Sequence, residues 1–180
     1  MKTCSLGINW NLLLVAMLML AVGCASNSSK NSSRQKKKEQ STVQFYLESH
    51  AGHGSATAGP IYRKNPVFVP VQRHPYIDGA SVVNAAVVEH MKSFYVELQF
   101  DQHGRFVLDN ITSANRGRRI AIFAQFPENR WLAVPLITQP NSTGVFTFTP
   151  DASKEEAERF VRGLNNVAQT LHKTKPKKKG

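Results

Sequence analysis

The sequence predicts one α+β domain, in which a small antiparallel or mixed β-sheet carries two main helices on one face. Residues 94–100 alternate apolar and polar side chains, as a half-buried strand does. Residues 119–126 and 131–135 are apolar runs on either side of a Pro-Glu-Asn turn, which is typical of a hairpin. Residues 153–168 repeat apolar side chains at three- and four-residue spacing, as an amphipathic helix does. Runs of strands with a helix after them indicate the α+β class.

Residues 1–23 have the pattern of a lipoprotein signal peptide. Lys2 gives a positive start, and the apolar run over residues 12–22 is much shorter than the roughly 20 residues that a spanning helix needs. The run ends in Leu-Ala-Val-Gly before Cys24, which resembles the lipobox of bacterial lipoproteins. That resemblance implies acylation of Cys24, and Ala25 in place of aspartate implies the outer membrane, facing the periplasm, rather than the inner membrane. The alternative is a plain secretory signal with an incidental cysteine.

Residues 24–42 are predicted to be the lipidated cysteine and a disordered basic linker. Residues 26–40 contain no apolar side chain, so they cannot bury enough surface to offset the entropy lost on ordering. A flexible chain of that length reaches roughly 20 Å. Both cysteines, Cys4 and Cys24, precede the domain, which therefore has neither a disulfide nor thiolate chemistry.

The domain itself is predicted over residues 43–172. Residues 43–48 alternate in the manner of a first strand, and residues 50–60, rich in Gly, Ala and Ser, predict a loop. Residues 67–71 predict a second strand, which its flanking and internal prolines place at a sheet edge. Residues 81–88 are small and apolar, and fit either a short helix or a strand.

Residues 105–114 are predicted to form the first main helix. Phe106, Val107 and Ile111 are expected to point inward from it. Gly117 suits the left-handed conformation that ends many helices.

The last helix has the clearest signals. Ser153 followed three residues later by Glu156 makes a capping box. The expected apolar face consists of Ala157, Phe160, Val161, Leu164 and Ala168. The expected outward ion pairs at four-residue spacing are Glu155 with Arg159 and Glu158 with Arg162.

The net charge of +11 belongs to the flanks of the chain. Residues 41–172 carry 12 basic against 11 acidic residues, a net of +1, which argues against a nucleic-acid groove in the domain. Residues 173–180 predict a disordered Lys-rich tail. Basic tails either contact an anionic surface or only keep the chain soluble. The candidate contacts are Lys36, Lys37, Lys38, Lys175, Lys177, Lys178 and Lys179.

No arrangement of residues indicates catalysis, a cofactor or a metal site. His50 and His53 lie in a Gly-rich stretch without a neighbouring cysteine or carboxylate cluster. Asp101 and His103 share a turn, but the sequence has no Gly-x-Ser-x-Gly nucleophile motif to accompany them.

Arg116, Arg118 and Arg119 allow two interpretations. Three arginines can clasp a phosphate, but they follow a helix, whose carboxyl end favours positive charge. On the second interpretation they form the rim of a central strand, so that Arg118→Ala leaves the melting temperature nearly unchanged whereas Ile122→Asp unfolds the domain.

A series of short motifs follows one order over residues 73–164. They are Pro75-Tyr-Ile-Asp-Gly79, Ala85, Phe100-Asp101 with Gly104, Asn115-x-Gly117-Arg118, Ile120-Ala-Ile122, Ala133-x-Pro135, Gly144, Phe148-Thr149 and Glu155-Glu-Ala157. In this order they resemble the head subdomain of the first periplasmic domain of SecD, an accessory subunit of the bacterial Sec protein-export machinery. One departure is Pro127-Glu-Asn129 in place of the tight Asp-Gly turn of the family's hairpin.

The resemblance implies a SecD head-like fold and a protein-binding function rather than an enzymatic one. The expected protein is an envelope lipoprotein that binds extended polypeptide or another envelope protein, as an accessory in protein export or envelope biogenesis. No motor activity is implied, because the family's membrane part has no counterpart in this sequence. The alternative is a structural envelope lipoprotein whose basic tails bind anionic cell wall or lipid headgroups.

Overall fold

The computed structural model describes residues 39–50, 55–125 and 128–173. Cys24, His53 and the candidate lysines at 36–38 and 175–179 lie outside the described residues. The strands are β1 (Thr42–Leu47), β2 (Ala56–Ile61), β3 (Val67–Val71), β4 (Ile77–Asp78), β5 (Val82–His90), β6 (Ser93–Phe100), β7 (Ile120–Gln125), β8 (Asn129–Ala133) and β9 (Val145–Phe148), and the helices are α1 (Gln102–Ala114) and α2 (Lys154–Lys173).

The described strands form three antiparallel sheets, which confirms the α+β class but divides the single sheet expected from the sequence. The largest has the order β4-β1-β7-β8, the second is the β2-β3 hairpin, and the third has the order β5-β6-β9. The hairpin of β7 and β8 is present as predicted, and β7 is the strand between β1 and β8. The apolar run that begins at Ile120 is therefore a central strand.

The main core lies between the four-stranded sheet, the three-stranded sheet and the two helices. Strand β1 contributes Val43, Phe45 and Leu47 at alternate positions, because successive side chains of a strand point to opposite faces. The ring of Phe45 meets Phe100 and Phe146 edge to face, with centroids 5.6 and 5.5 Å away. Such aromatic pairs add about 0.5–1.5 kcal/mol each to the free energy of unfolding.

The β2-β3 hairpin covers the other face of the four-stranded sheet and forms a second core. Ala58, Ile61, Val69 and Val71 of the hairpin pack with Ala121 of β7. We call this hairpin the ribbon. The predicted loop over residues 50–60 is wrong for β2. The small residues and the proline of this strand give it no strand-like pattern, and it is buried by contact with a sheet that is distant in the sequence.

Strand β5 resolves the ambiguity over residues 81–88, since it runs from Val82 to His90 and pairs with β6. The predicted alternation of β6 is confirmed, with Val96, Leu98 and Phe100 buried.

Helix α1 begins three residues earlier than predicted, because Asp101 caps it. The Asp101 carboxylate accepts a hydrogen bond of 2.8 Å from the Gly104 N–H. Its buried residues are Gly104, Leu108 and Thr112, so the expectation that Phe106 points inward is wrong: Phe106 is 66% exposed. Val107 and Ile111, also expected to point inward, are partly buried against the main core.

Helix α2 confirms both its cap and its apolar face. The Ser153 backbone N–H donates to Glu156 Oε2 over 2.9 Å, and the Glu156 N–H donates to Ser153 Oγ over 3.2 Å. All five residues of the predicted face are buried. Arg159 and Arg162, which were expected to pair with Glu155 and Glu158, both bind Glu39, and Glu158 lies 3.9 Å from Lys154.

Candidate functional site

The three arginines that follow α1 do not form an open clasp. The Arg118 guanidinium donates to the Asn115 side chain and to the backbone carbonyl of Glu48, at the end of β1. Arg119 places Nη1 3.7 Å from Glu48 Oε1, and its backbone N–H donates to Glu48 Oε2 over 2.8 Å. Arg116 is exposed. Arg118 and Arg119 therefore join the start of β7 to the end of β1, and the expectation that Arg118 is dispensable for stability is revised.

The other candidate groups from the sequence stay apart. His50 is exposed, and His103 lies exposed in the first turn of α1 while Asp101 serves as its cap. Within residues 39–50, 55–125 and 128–173, no three His, Cys, Asp or Glu residues gather as a metal site would require.

The ribbon carries an exposed apolar surface, formed by Val67 and Phe68 of β3. Val67 is 37% and Phe68 62% exposed. The Phe68 ring lies against Gly59 of the paired strand, and a Cβ at that glycine would collide with the ring. Gly59 thus gives the ring a backbone surface on one side, while its other side faces solvent. Strand β3 was predicted to lie at a sheet edge, and it does pair with β2 within a two-stranded sheet.

A crevice of about 60 Å³ lies between β8, the start of α2 and the turn that follows β2. Its floor includes Leu132, Ala157 and Phe160, and its rim includes Arg63 and Glu156. Arg63 Nη2 lies 3.2 Å from Glu156 Oε1. A hydrogen bond from the Ser153 backbone N–H lowers the pKa of Glu156, and the Arg63 guanidinium lowers it further.

Arg130 lines the same crevice. One of its guanidinium nitrogens, Nη2, is buried without a hydrogen bond and lies 3.6 Å from Asp151 Oδ2. Asp151 Oδ2 also accepts the Arg63 backbone N–H over 2.9 Å. These contacts tie the ribbon turn to the start of α2, and no sequence pattern indicated them because the partners are some 90 positions apart.

Ion pairs hold Glu39, the first described residue, on α2. We call Glu39 with Arg159 and Arg162 the clamp. Glu39 Oε1 lies 3.1 Å from Arg159 Nε, and Glu39 Oε2 lies 2.8 Å from Arg162 Nε. Burial raises the pKa of Glu39, but hydrogen bonds and charge from Arg162 and Arg159 outweigh it and hold the pKa below its ordinary value. The sequence placed residues 39–42 in the linker, whereas Ser41 is only 2% exposed and β1 begins at Thr42.

Helices of the described residues are all too short or too polar to cross a membrane.

Taken together, the fold is a small α+β domain of antiparallel sheets with a separate, partly exposed ribbon. The chain belongs to the SecDF P1 head subdomain family, whose model matches residues 55–168. The predicted SecD resemblance is therefore confirmed at the level of this subdomain.

Solved structures show the same fold. One, described as a membrane component SecDF that enhances protein export, is 17% identical, with a TM-score of 0.56 over 80% of this chain and 71% of that chain. A second, SecDF in a super-membrane-facing form, is 20% identical, with a TM-score of 0.58 over 79% of this chain and 21% of that chain. No curated protein sequence matches the chain. At these identities the structural likeness concerns the fold alone.

Proposed function

We propose that this protein is a lipid-anchored envelope accessory that binds extended polypeptide through the ribbon and assists protein export or envelope biogenesis. Family membership supports the link to export, since a structural relative is described as enhancing it. The proposal assigns no catalytic residue, cofactor, metal or motor activity to the chain, and no nucleic-acid partner.

The exposed apolar residues of β3 are the observation that carries the binding site. An extended peptide recognises a sheet through main-chain hydrogen bonds and through side-chain contacts at alternate positions. Phe68 offers an aromatic surface for such a contact, and its backing by Gly59 keeps the ring in place before a partner arrives. A ring fixed in advance loses less conformational entropy on binding.

The test compares Phe68→Ser with Met91→Ser in the full chain. Met91 is 92% exposed in the turn between β5 and β6, so it is a matched control for the loss of a surface apolar side chain. Fluorescence anisotropy with a labelled unfolded polypeptide should show about tenfold weaker binding for Phe68→Ser, because burying the 62% of Phe68 that is still exposed contributes about 1–2 kcal/mol. Met91→Ser should bind like the parent. Equal affinities of the two variants would show that Phe68 of the ribbon does not bind the polypeptide.

The anchor is the second part of the proposal. Cys24 follows a short apolar run and small residues, and acylation there would hold the domain at a membrane. Ala25 favours the outer membrane, facing the periplasm. Labelled palmitate should be incorporated into the parent and not into Cys24→Ser, whereas labelling of both would point to another modification site.

The second candidate function is a structural one, in which the basic flanks bind anionic lipid headgroups or cell wall. The charge distribution favours it, because residues 41–172 have a net charge of only +1 out of +11. Sedimentation with anionic vesicles or purified wall separates the two functions. Deletion of residues 175–179 should weaken sedimentation if the flanks bind, and should leave polypeptide binding unchanged.

A further inference from the structure

A groove of about 360 Å³ lies where two sheet edges come together. It is lined by residues 145–147 of β9, an edge strand of the three-stranded sheet, and by residues 135–143, which follow β8. Its floor includes Ile120 and Phe146, which belong to the main core. The main chain that borders this groove decides what the groove can bind.

On the β9 side, the peptide groups of Thr147 are directed away from β6. The Phe100 N–H donates to the Gly144 carbonyl over 2.9 Å, so alternate residues from Gly144 onward face β6. Val145 agrees with this alternation, because its carbonyl accepts a 2.7 Å hydrogen bond from the side chain of Asn141, on the outer side. Thr147 continues the outward set, is exposed, and has no hydrogen-bond partner for these groups among the described residues.

On the other side, the peptide groups of Leu136 are directed away from β7. The Ile120 N–H donates to the Pro135 carbonyl over 2.9 Å, and the Ile137 N–H donates to the Arg118 carbonyl over 2.8 Å. In an antiparallel pair, the residue between two such bonds directs its own N–H and carbonyl outward. Leu136 is that residue, and its side chain is 54% exposed.

The opposite edge of the three-stranded sheet shows what such outward groups bind. On β5, the Ala85 N–H donates to Asn165 Oδ1 and the Ala85 carbonyl accepts from Asn165 Nδ2, both over 2.8 Å. An amide side chain has the donor and the acceptor of a peptide group, so Asn165 replaces the main chain of a neighbouring strand. Thr147 and Leu136 have no such partner within the part of the chain that the structure describes, and they are complementary to an added strand.

Contacts to α1 hold the wall of the groove in place. The Asn141 N–H donates to Thr112 Oγ1 over 2.8 Å, and Thr112 is only 3% exposed. Arg105 Nε donates to the Ser142 carbonyl over 2.7 Å. The groove is therefore formed before a partner arrives, which lowers the entropy lost on binding.

The side chains around the groove define the chemistry of the partner. None of the described residues that line it is charged. The floor is apolar, whereas Thr138, Gln139 and Thr143 are polar and exposed. Because successive side chains of a strand point to opposite faces, a segment that alternates apolar and uncharged polar residues fits both surfaces.

We propose that this groove binds one extended, uncharged segment of polypeptide as an added β-strand, paired with Thr147 on one side and Leu136 on the other. The inference rests on the proposed function for its class of partner, an extended polypeptide, and gives that partner a second contact that includes no ribbon residue. A strand in this position needs two free edges. The β9 strand of a second copy has one edge already paired with β6, so it does not fit.

The first arm of the test uses the full chain and a fluorescein-labelled peptide of alternating valine and serine. Two further peptides carry N-methyl groups on all valines or on all serines. Because a strand directs alternate N–H groups to opposite sides, each methylated peptide loses its donors toward one edge. Each should bind at least about fivefold more weakly in fluorescence anisotropy, which is the effect of one lost hydrogen bond.

The second arm compares Thr147→Pro with Thr149→Pro. Proline removes an N–H and is tolerated at a sheet edge where that N–H faces outward. Thr147→Pro should weaken binding of the unmethylated peptide about fivefold and leave the urea midpoint near that of the parent. Thr149 is exposed, lies two positions further on and does not line the groove, so Thr149→Pro should bind like the parent. If Thr147→Pro does not fold, the methylated peptides decide the question with the parent protein.

The possible failures are separable. If the parent binds neither a labelled unfolded polypeptide nor the short peptide, the proposed function fails and the inference with it. If binding of the unfolded polypeptide depends on Phe68, but all three peptides bind equally and Thr147→Pro binds like the parent, the groove is refuted and the ribbon stands.

Two other results would also overturn the inference. A loss of affinity with only one of the methylated peptides refutes pairing with both edges. A dimer of the parent in analytical ultracentrifugation that Thr147→Pro dissociates would identify a second copy of the chain as the occupant.

Discussion

Helix α1 carries two large apolar residues two positions apart, and the structure puts them in opposite environments. Leu108 is fully buried in the main core, whereas Phe106 is 66% exposed. The sequence pattern alone favoured Phe106 as an inward residue. Replacing each with alanine therefore tests which face of α1 packs on the core.

The expected magnitudes differ several-fold. Leu108→Ala removes three carbon groups, worth about 0.8 kcal/mol each, and leaves a cavity, so the loss in free energy of unfolding should be about 3 kcal/mol. Phe106 buries about a third of its side chain, which is worth about 0.5–1 kcal/mol. Alanine recovers about 0.5 kcal/mol of helix propensity there, so Phe106→Ala should stay within about 0.5 kcal/mol of the parent.

Urea denaturation followed by Trp131 fluorescence measures both losses. The Trp131 ring packs against Tyr46 and Phe123, with centroids 5.2 and 5.0 Å away, so unfolding changes its surroundings. A Trp10→Phe background removes the other tryptophan signal. With a slope of about 1–3 kcal/mol per molar urea, Leu108→Ala should lower the midpoint by about 1–3 M. Equal losses for the two variants, or a larger one for Phe106→Ala, would refute the assigned helix face.

Three further substitutions test contacts between elements that are distant in the sequence. Gly163→Ala should lower the free energy of unfolding, measured in urea, by about 1 kcal/mol. The new Cβ would lie 2.8 Å from the Ser41 backbone nitrogen, and this crowding exceeds the gain in helix propensity. Adding Ser41→Gly should restore part of the loss, and a Gly163→Ala variant that is more stable than the parent would contradict the packing. Arg118→Ala should lower the free energy of unfolding by about 1–3 kcal/mol in the same assay, because the Glu48 carbonyl at the end of β1 loses its hydrogen-bond donor. Arg116→Ala should change it little. The lowered pKa of Glu39 contributes stability above the ordinary glutamate pKa of about 4.5, and this contribution is lost as pH falls through the folded-state pKa. Melting temperatures between pH 7 and 3 should therefore fall less steeply for Glu39→Gln than for the parent, and parallel curves would count against the clamp.

Local patterns predicted the elements whose signals are contained within a few neighbouring residues. The capping box at Ser153 and the alternation of β6 are of this kind, because a cap or a half-buried strand depends on spacing alone. Strand β2 was missed because Ala58 and Ile61 are buried together with Ala121 of β7, which comes some 60 positions later in the chain. The start of α1 was missed because Asp101 is both a turn residue and a cap, and only its bond to Gly104 decides between them.

The candidate surfaces were harder to predict than the elements, for a related reason. The exposure of Phe68 depends on which face of β3 meets the four-stranded sheet, and periodicity cannot distinguish the two faces of a five-residue strand. The clamp joins Glu39 to arginines some 120 positions later, so a glutamate within a basic stretch looked like linker. Charge counting located the basic runs, but residues 36–38 and 175–179 lie outside the described residues.

The division into two cores bears on how the ribbon can act. The main core joins residues of seven strands and both helices, whereas the second core holds Ala58, Ile61, Val69, Val71 and Ala121. Because local opening costs less where fewer apolar groups are buried, we expect the ribbon to open at a smaller free-energy cost than the main core. Two small residues, Ala58 and Ala121, lie where the ribbon meets β7, so the hairpin packs close to the sheet on its inner side. The outer side of the ribbon carries Phe68, which is 62% exposed, so the proposed peptide contact would be made on the smaller of the two cores.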